Sequence, residues 1–203
     1  MRGTLHLATG ASGDFLVLTH GAGGNSNAAL LVALAQEFAA AGVSVLRCDL
    51  PYGQRRRLGP PSPATAKEDQ EGLRRAVTLM KEQSNGRAFL GGSSYGGRQA
   101  SLLAASHSGL VEGLLLLSYP LHPPGKPVQL RTAHFPELQT PSLFVSGTKD
   151  VFGTIEELDA AIALIPARTA LVKIAGASHG LAKPASTPTV ASMVRKSFFD
   201  LFA

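Results

Sequence analysis

Residues 88–101 read AFLGGSSYGGRQAS and contain Gly92-Ser93-Ser94-Tyr95-Gly96, a fit to G-x-S-x-G. The motif follows an apolar, strand-like run and precedes a helix pattern over 97–107, the context it needs to present a nucleophile on a tight turn. Small residues two before and two after the nucleophile are required, because a side chain there would strike the neighbouring strand or helix. Ser94 is the candidate nucleophile. Ser93 fits worse, since that frame puts Tyr95 where the second glycine belongs. A serine hydroxyl attacks well only when a base takes its proton and an acid fixes the tautomer of that base. Downstream, PSLFVSGTKD ends one apolar run at Asp150, and TALVKIAGASHG ends the next at His179. Serine, acid and base therefore recur in order, each just past a strand.

An acyl-transfer site also needs backbone N–H groups where negative charge develops on the carbonyl oxygen. One should come from Tyr95, the residue after the nucleophile. The other should come from an early loop, and LTHGAGGNSN supplies His20-Gly21-Ala22-Gly23-Gly24, with Ala22 the chosen donor and Gly23 its neighbour. The loop is not a phosphate cradle of the P-loop kind, which needs a following Lys-Ser/Thr, and HGAGGN lacks the G-x-G-x-x-G spacing of a dinucleotide fingerprint.

The elements that must position these residues alternate along the chain. FLVLTHG, VSVLRCDL, RAFLGGS, LLLLSYP, PSLFVSG and TALVKIAGA are continuous apolar runs, as expected of parallel strands covered on both faces. Between them lie helix patterns over 29–41 and 66–83, the latter with Leu73, Ala76, Val77 and Met80 on one face. Thr154 with Glu157 predicts a capping box opening a helix to Ile165, and Thr187-Pro188 predicts the start of a last helix. This βα order predicts a three-layer α/β sandwich, a mostly parallel sheet with helices on both faces, in one domain over 1–203. Its site should lie beyond the carboxyl ends of the strands. Serine, aspartate and histidine in this order are what the α/β-hydrolase topology produces. Two irregular stretches, GQRRRLGPPSPAT from Gly53 and the proline-rich excursion from Pro120 to Pro141, follow strand ends and could overhang that site.

Composition sets the outer limits. Of 203 residues, 44% are hydrophobic and 16% charged, which excludes general disorder. The lone Cys48 excludes an internal disulfide or a multi-cysteine metal site and reads as a small buried hydrophobe. No run reaches membrane-spanning length and the N-terminus has no apolar signal core, so the expected location is cytoplasmic, without a membrane partner. The net charge of +5 is spread along the chain, Arg55-Arg56-Arg57 being its one basic run, and no aromatic–basic interleaving suggests nucleic acid. Arg55 and its neighbours, with Arg98, Lys126, Arg131 and Lys149 near other strand ends, could form a cationic rim favouring carboxylated or phosphorylated substrates. Gly23, Arg55 and His122 are the candidate substrate contacts. His20 should brace the glycine loop, Asp49 the loop beside it, and neither His122 nor His134 has metal-ligand company.

Taken together, HGAGG, RCDLPYGQRRR, GGSSYGG, SYPLHPPGKP, LRTAHF, SGTKDVFGT and ASHG resemble the small dienelactone-hydrolase-like α/β hydrolases. More narrowly, they resemble the bacterial branch related to testis-expressed protein 30 and to a subunit of a histone-acetyltransferase complex. The resemblance runs from about Phe15 to the end. It implies a minimal α/β-hydrolase fold without a cap domain, with Ser94, Asp150 and His179 as triad. Dienelactone hydrolases proper carry cysteine where this chain has Ser94. The expected activity is serine hydrolysis of a small ester or related acyl compound without a cofactor. The competing expectations are thioester cleavage or acyl transfer by the same residues, and a non-catalytic interaction module on the same scaffold.

Overall fold

A computed structural model describes residues 2–10, 12–55 and 61–203. Among them a seven-stranded sheet runs in the order β1-β3-β2-β4-β5-β6-β7. The strands are β1 (Gly3–His6), β2 (Phe15–Thr19), β3 (Ser44–Cys48), β4 (Ala88–Ser93), β5 (Gly113–Leu117), β6 (Ser142–Gly147) and β7 (Thr169–Ile174). All pairings are parallel except β1 with β3. The six apolar runs of the sequence are β2 to β7. β1 is an added antiparallel edge whose exposed, four-residue course carries no apolar run.

Alternation along the strands sends side chains to two cores. On one face, Leu16, Leu18, Val45, Phe89, Leu115 and Val145 meet α1 (Ala29–Ala40) and α6 (Thr187–Phe202). There Phe198 sits edge-on to Phe38 and Phe89, with ring centroids 4.9 and 4.8 Å away. On the other, Phe15, Val17, Leu90, Leu114, Leu116 and Phe144 meet α3 (Ala66–Gln83), α4 (Tyr95–Ser106) and α5 (Ile155–Ile162). The layering is the predicted sandwich. α5 opens with the capping box of Thr154 and Glu157 and stops three residues short of the expected Ile165, in a turn.

Two connections matter for the site, the first a departure from expectation and the second as expected. The chain after β3 forms a short helix α2 (Pro51–Arg55) where a loop was expected from Gly53. The excursion from Pro120 to Pro141 contains a single turn of 3-10 helix, Phe135–Glu137, and is anchored by buried Leu121, His122, Phe135 and Leu138. Arg56 and Arg57, the rest of the basic run, lie outside the described residues. Because β2 is flanked by β3 on one side and β4 on the other, the connections out of β2 and β4 diverge. A crevice forms at that reversal, beyond the strand carboxyl ends.

Candidate active site

Ser94 stands between β4 and α4 with φ 49° and ψ −115°, a backbone region that side-chain-bearing residues seldom occupy. Its N–H donates to the Leu117 carbonyl at 2.7 Å, tying the turn to β5. The turn closes only because its flanking residues are glycine. A Cβ on Gly92 would lie 2.7 Å from the Gly96 carbonyl carbon and 2.9 Å from the Thr19 methyl. One on Gly96 would collide with the His20 carbonyl and with the same methyl.

The structure brings the three predicted residues together. His179 Nε2 is 2.8 Å from Ser94 Oγ, and His179 Nδ1 is 2.8 and 2.9 Å from the two Asp150 oxygens. A carboxylate can only accept, so Nδ1 carries the proton and Nε2 presents its lone pair to the serine hydroxyl. The Asp150 side chain is 1% exposed and also accepts from the Phe152 N–H at 2.9 Å. Phe152 stacks on the imidazole at 4.1 Å between centroids, tilted by 32°. Behind it, Ser118 Oγ donates to the His179 carbonyl at 2.7 Å. Asp150 and His179 sit on the turns after β6 and β7, so parallel neighbours in the sheet set their approach.

The predicted oxyanion donors lie beside Ser94. The Tyr95 N–H opens α4 and has no intrahelical carbonyl to reach. The Ala22 N–H makes no hydrogen bond among the described residues, whereas the Gly23 N–H is already given to Tyr52 Oη at 3.2 Å. The glycine loop is held from beneath. His20, 1% exposed, donates from Nδ1 to the Gly21 carbonyl at 2.8 Å and accepts the Leu50 N–H at Nε2 at 3.1 Å. Tyr52 Oη donates to the Gly21 carbonyl at 3.2 Å. Asp49 Oδ1 accepts the Ser26 N–H at 2.8 Å, the bracing role expected of it.

One important contributor was not foreseen. Asp69 on α3 is fully buried and accepts from the Tyr52 N–H at 3.0 Å and the Tyr95 hydroxyl at 2.8 Å. It thus couples the Ser94–Tyr95 turn and, through Tyr52, the glycine loop to one carboxylate. Burial raises its pKa, against the pull of those two hydrogen bonds. The sequence signal was a carboxylate in register with Leu73 and Ala76 on the apolar stripe of α3.

A cavity of about 910 Å³ opens over Ser94 and His179. Its lining includes the apolar Leu30, Leu31 and Leu102 and the polar Arg98, Gln99 and Arg131. The three expected substrate contacts do not join it. Gly23 is not in the lining, its amide being spent on Tyr52. Arg55 pairs with Glu68 and faces a separate, largely apolar groove of about 670 Å³ along β1, β3 and α3. His122 is buried, its Nδ1 2.8 Å from the Pro123 carbonyl and its Nε2 3.3 Å from Glu157, so it clamps the excursion to the start of α5. Cys48 lies inside β3, fully buried, and burial pushes its thiol up to about 12, which leaves it protonated and unreactive. No cluster of three or more metal-ligating side chains occurs among the described residues. Nor is any described helix long and apolar enough to cross a membrane.

Residues 12–200 match the family model for the alpha/beta hydrolase domain. This chain belongs to that family. Solved structures of the same fold include Est1E from Butyrivibrio proteoclasticus, at 18% identity and TM-score 0.79 over 98% of this chain and 93% of that one. Dienelactone hydrolase from Anabaena variabilis matches at 20% identity and TM-score 0.77, over 98% and 91% of the two chains. XC6422 from Xanthomonas campestris, described as a serine hydrolase without a lid, matches at 16% identity and TM-score 0.74, over 98% and 88%. The shared architecture is that of an α/β hydrolase, with no separate cap domain evident among the described residues.

Proposed function

We propose that the chain is a serine hydrolase that cleaves a small ester or related acyl substrate through an acyl-enzyme. The observation that carries this reading is the unbroken hydrogen-bonded series Ser94 Oγ, His179 imidazole, Asp150 carboxylate. His179 Nε2 takes the hydroxyl proton as Ser94 Oγ attacks the carbonyl carbon, and Asp150 stabilises the imidazolium that results. The Tyr95 and Ala22 amides receive the developing oxyanion. Collapse expels the alcohol, which leaves with the proton from His179, and water repeats the sequence to free the acid and regenerate Ser94. No cofactor enters the scheme.

A fluorophosphonate probe tests it directly. The native protein should be tagged at Ser94, and Ser94→Ala should lose both tagging and turnover of a panel of esters, thioesters and lactones while melting normally. Panel members turned over fastest would separate esterase from thioesterase. An untagged Ser94 with no turnover would leave the interaction-module reading in its place.

A further inference from the structure

Most arginines with a visible role in the fold have a carboxylate or carbonyl as partner. Arg55, Arg74, Arg75, Arg87 and Arg195 pair with acids. Arg47 donates to the Ser26 carbonyl and Arg168 to the Leu201 carbonyl. Arg98 and Arg131, both half-buried and both lining the cavity over Ser94, have no acid as partner among the described residues. Among the described residues neither has a carboxylate within 4.0 Å, and residues 56–60 contain no acid. Among the described residues Arg98 Nε is buried without a hydrogen-bond partner, and so is Nε2 of Gln99, a fully buried residue of the same lining. Arg131 spends one Nη1 bond, at 3.2 Å, on the Pro120 carbonyl.

The two guanidiniums share one corner. Both act on the buried Tyr119 hydroxyl, which is raised by burial and pulled back by each of them, and Tyr119 Oη donates to the Arg131 carbonyl at 2.6 Å. Arg131 itself is lowered from its ordinary value, first by burial and then by the charge of Arg98. Two cations brought together in a partly desolvated wall, without a counter-charge, repel each other. A bound anion would relieve both. Guanidinium forks suit planar, bidentate carboxylate recognition.

Resting on the hydrolase reading, we propose that Arg98 and Arg131, with Gln99 Nε2, form an anion subsite of the catalytic cavity. The preferred substrate then carries a free carboxylate besides its scissile acyl bond. Arg98 stands one turn beyond Ser94, its N–H donating to the Ser94 carbonyl at 2.9 Å, and both line the one cavity, so a small substrate can meet both at once. Arg131 reaches the cavity because the excursion folds back on its own start, the Arg131 N–H donating to the Leu121 carbonyl at 2.8 Å.

The test compares kcat/KM for charged and uncharged partners of equal size. Phenyl hemiglutarate against phenyl valerate places the carboxylate on the acyl side. The valerate esters of 4-hydroxybenzoate and 4-hydroxybenzamide place it on the alcohol side. In the native protein one pair should favour the anion by about tenfold or more, the size expected of a charged hydrogen bond. That ratio should collapse in Arg131→Gln and Arg98→Gln and recover in part in Arg131→Lys. Ratios near one for both pairs in the native protein overturn the inference while leaving the hydrolase reading intact, and need no variant to fold. If no ester is cleaved at all, titration of Ser94→Ala with glutarate and with glutaramide decides. Glutarate bound at least tenfold tighter, with the advantage lost in Ser94→Ala/Arg131→Gln, sustains the subsite without the hydrolase. Equal or absent binding removes it.

Discussion

At the scale of single residues, the candidate site divides into side chains that act and side chains that hold. The actors were legible because each combines a chemically capable type with a place just past an apolar run: Ser94, Asp150 and His179. The holders were harder to see. Tyr52 and Asp69 lie 17 residues apart and act through hydrogen bonds whose partners only the fold brings near. The substrate contacts failed for the same reason, since whether a loop arginine faces Ser94 or Glu68 is decided by a short helix the sequence hardly announces. Asp150 offers the cleanest residue-level test. Replacing it by Asn keeps the size but removes the purely accepting partner that holds the proton on His179 Nδ1. The flipped tautomer would present an N–H to Ser94 where a lone pair is needed. Asp150→Asn should lose about four orders of magnitude in kcat at neutral pH, with KM far less affected. Steady-state kinetics on the best ester of the panel would check it, and a loss smaller than tenfold would argue against the assigned role of Asp150.

At the scale of elements, β2 to β7 and the longer helices were legible because continuous burial writes itself into composition and amphipathic stripes into spacing. β1 was not, being a four-residue antiparallel edge with one neighbour and an exposed face. α2 was not, since five residues starting with proline leave no periodicity to read. The β4–α4 turn is the element on which activity depends most. Its φ and ψ at Ser94 are held by close passage of Gly92 and Gly96 over β2, where a methyl at position 96 has no room against the His20 carbonyl and the Thr19 methyl. The nearest obstruction, the His20 carbonyl, is backbone that cannot swing aside, so Gly96→Ala must push the turn off β2. It should cost about 1–3 kcal/mol of stability and move Ser94 away from His179. Urea unfolding and fluorophosphonate labelling should fall together. Full labelling at native rates would show the turn to be more tolerant than its packing implies.

For the molecule as a whole, the response to acid turns on a half-buried base. His134, in the excursion, gives its Nε2 hydrogen to Ser101 Oγ at 2.8 Å, because that hydroxyl spends its own on the Arg98 carbonyl at 3.0 Å. Burial first, and the Arg98 charge second, hold its pKa down from 6.5 to about 4. Above 6.5 the imidazole is neutral whether or not the chain is folded, and its packing contributes fully. As pH falls from 6.5 to about 4 the unfolded chain binds a proton the folded one refuses, so stability drains away across that window. At 1.36 kcal/mol per pKa unit the ceiling is about 3 kcal/mol, reduced by solvent screening because the group is only half-buried. Glu157 is lowered as well, held down first by the Thr154 N–H and then by His122, but its window lies further into acid. Its contribution persists down to its ordinary value of 4.5 and is lost only below that. The rising net positive charge also works against the fold on acidification, but it acts almost equally on native protein and on His134→Gln. The difference between their urea-unfolding free energies therefore isolates the histidine. It should change steadily between pH 6.5 and 4.5, with native protein losing stability faster. Parallel curves across that interval would mean that His134 takes up its proton without leaving its place beside Arg98 and Ser101.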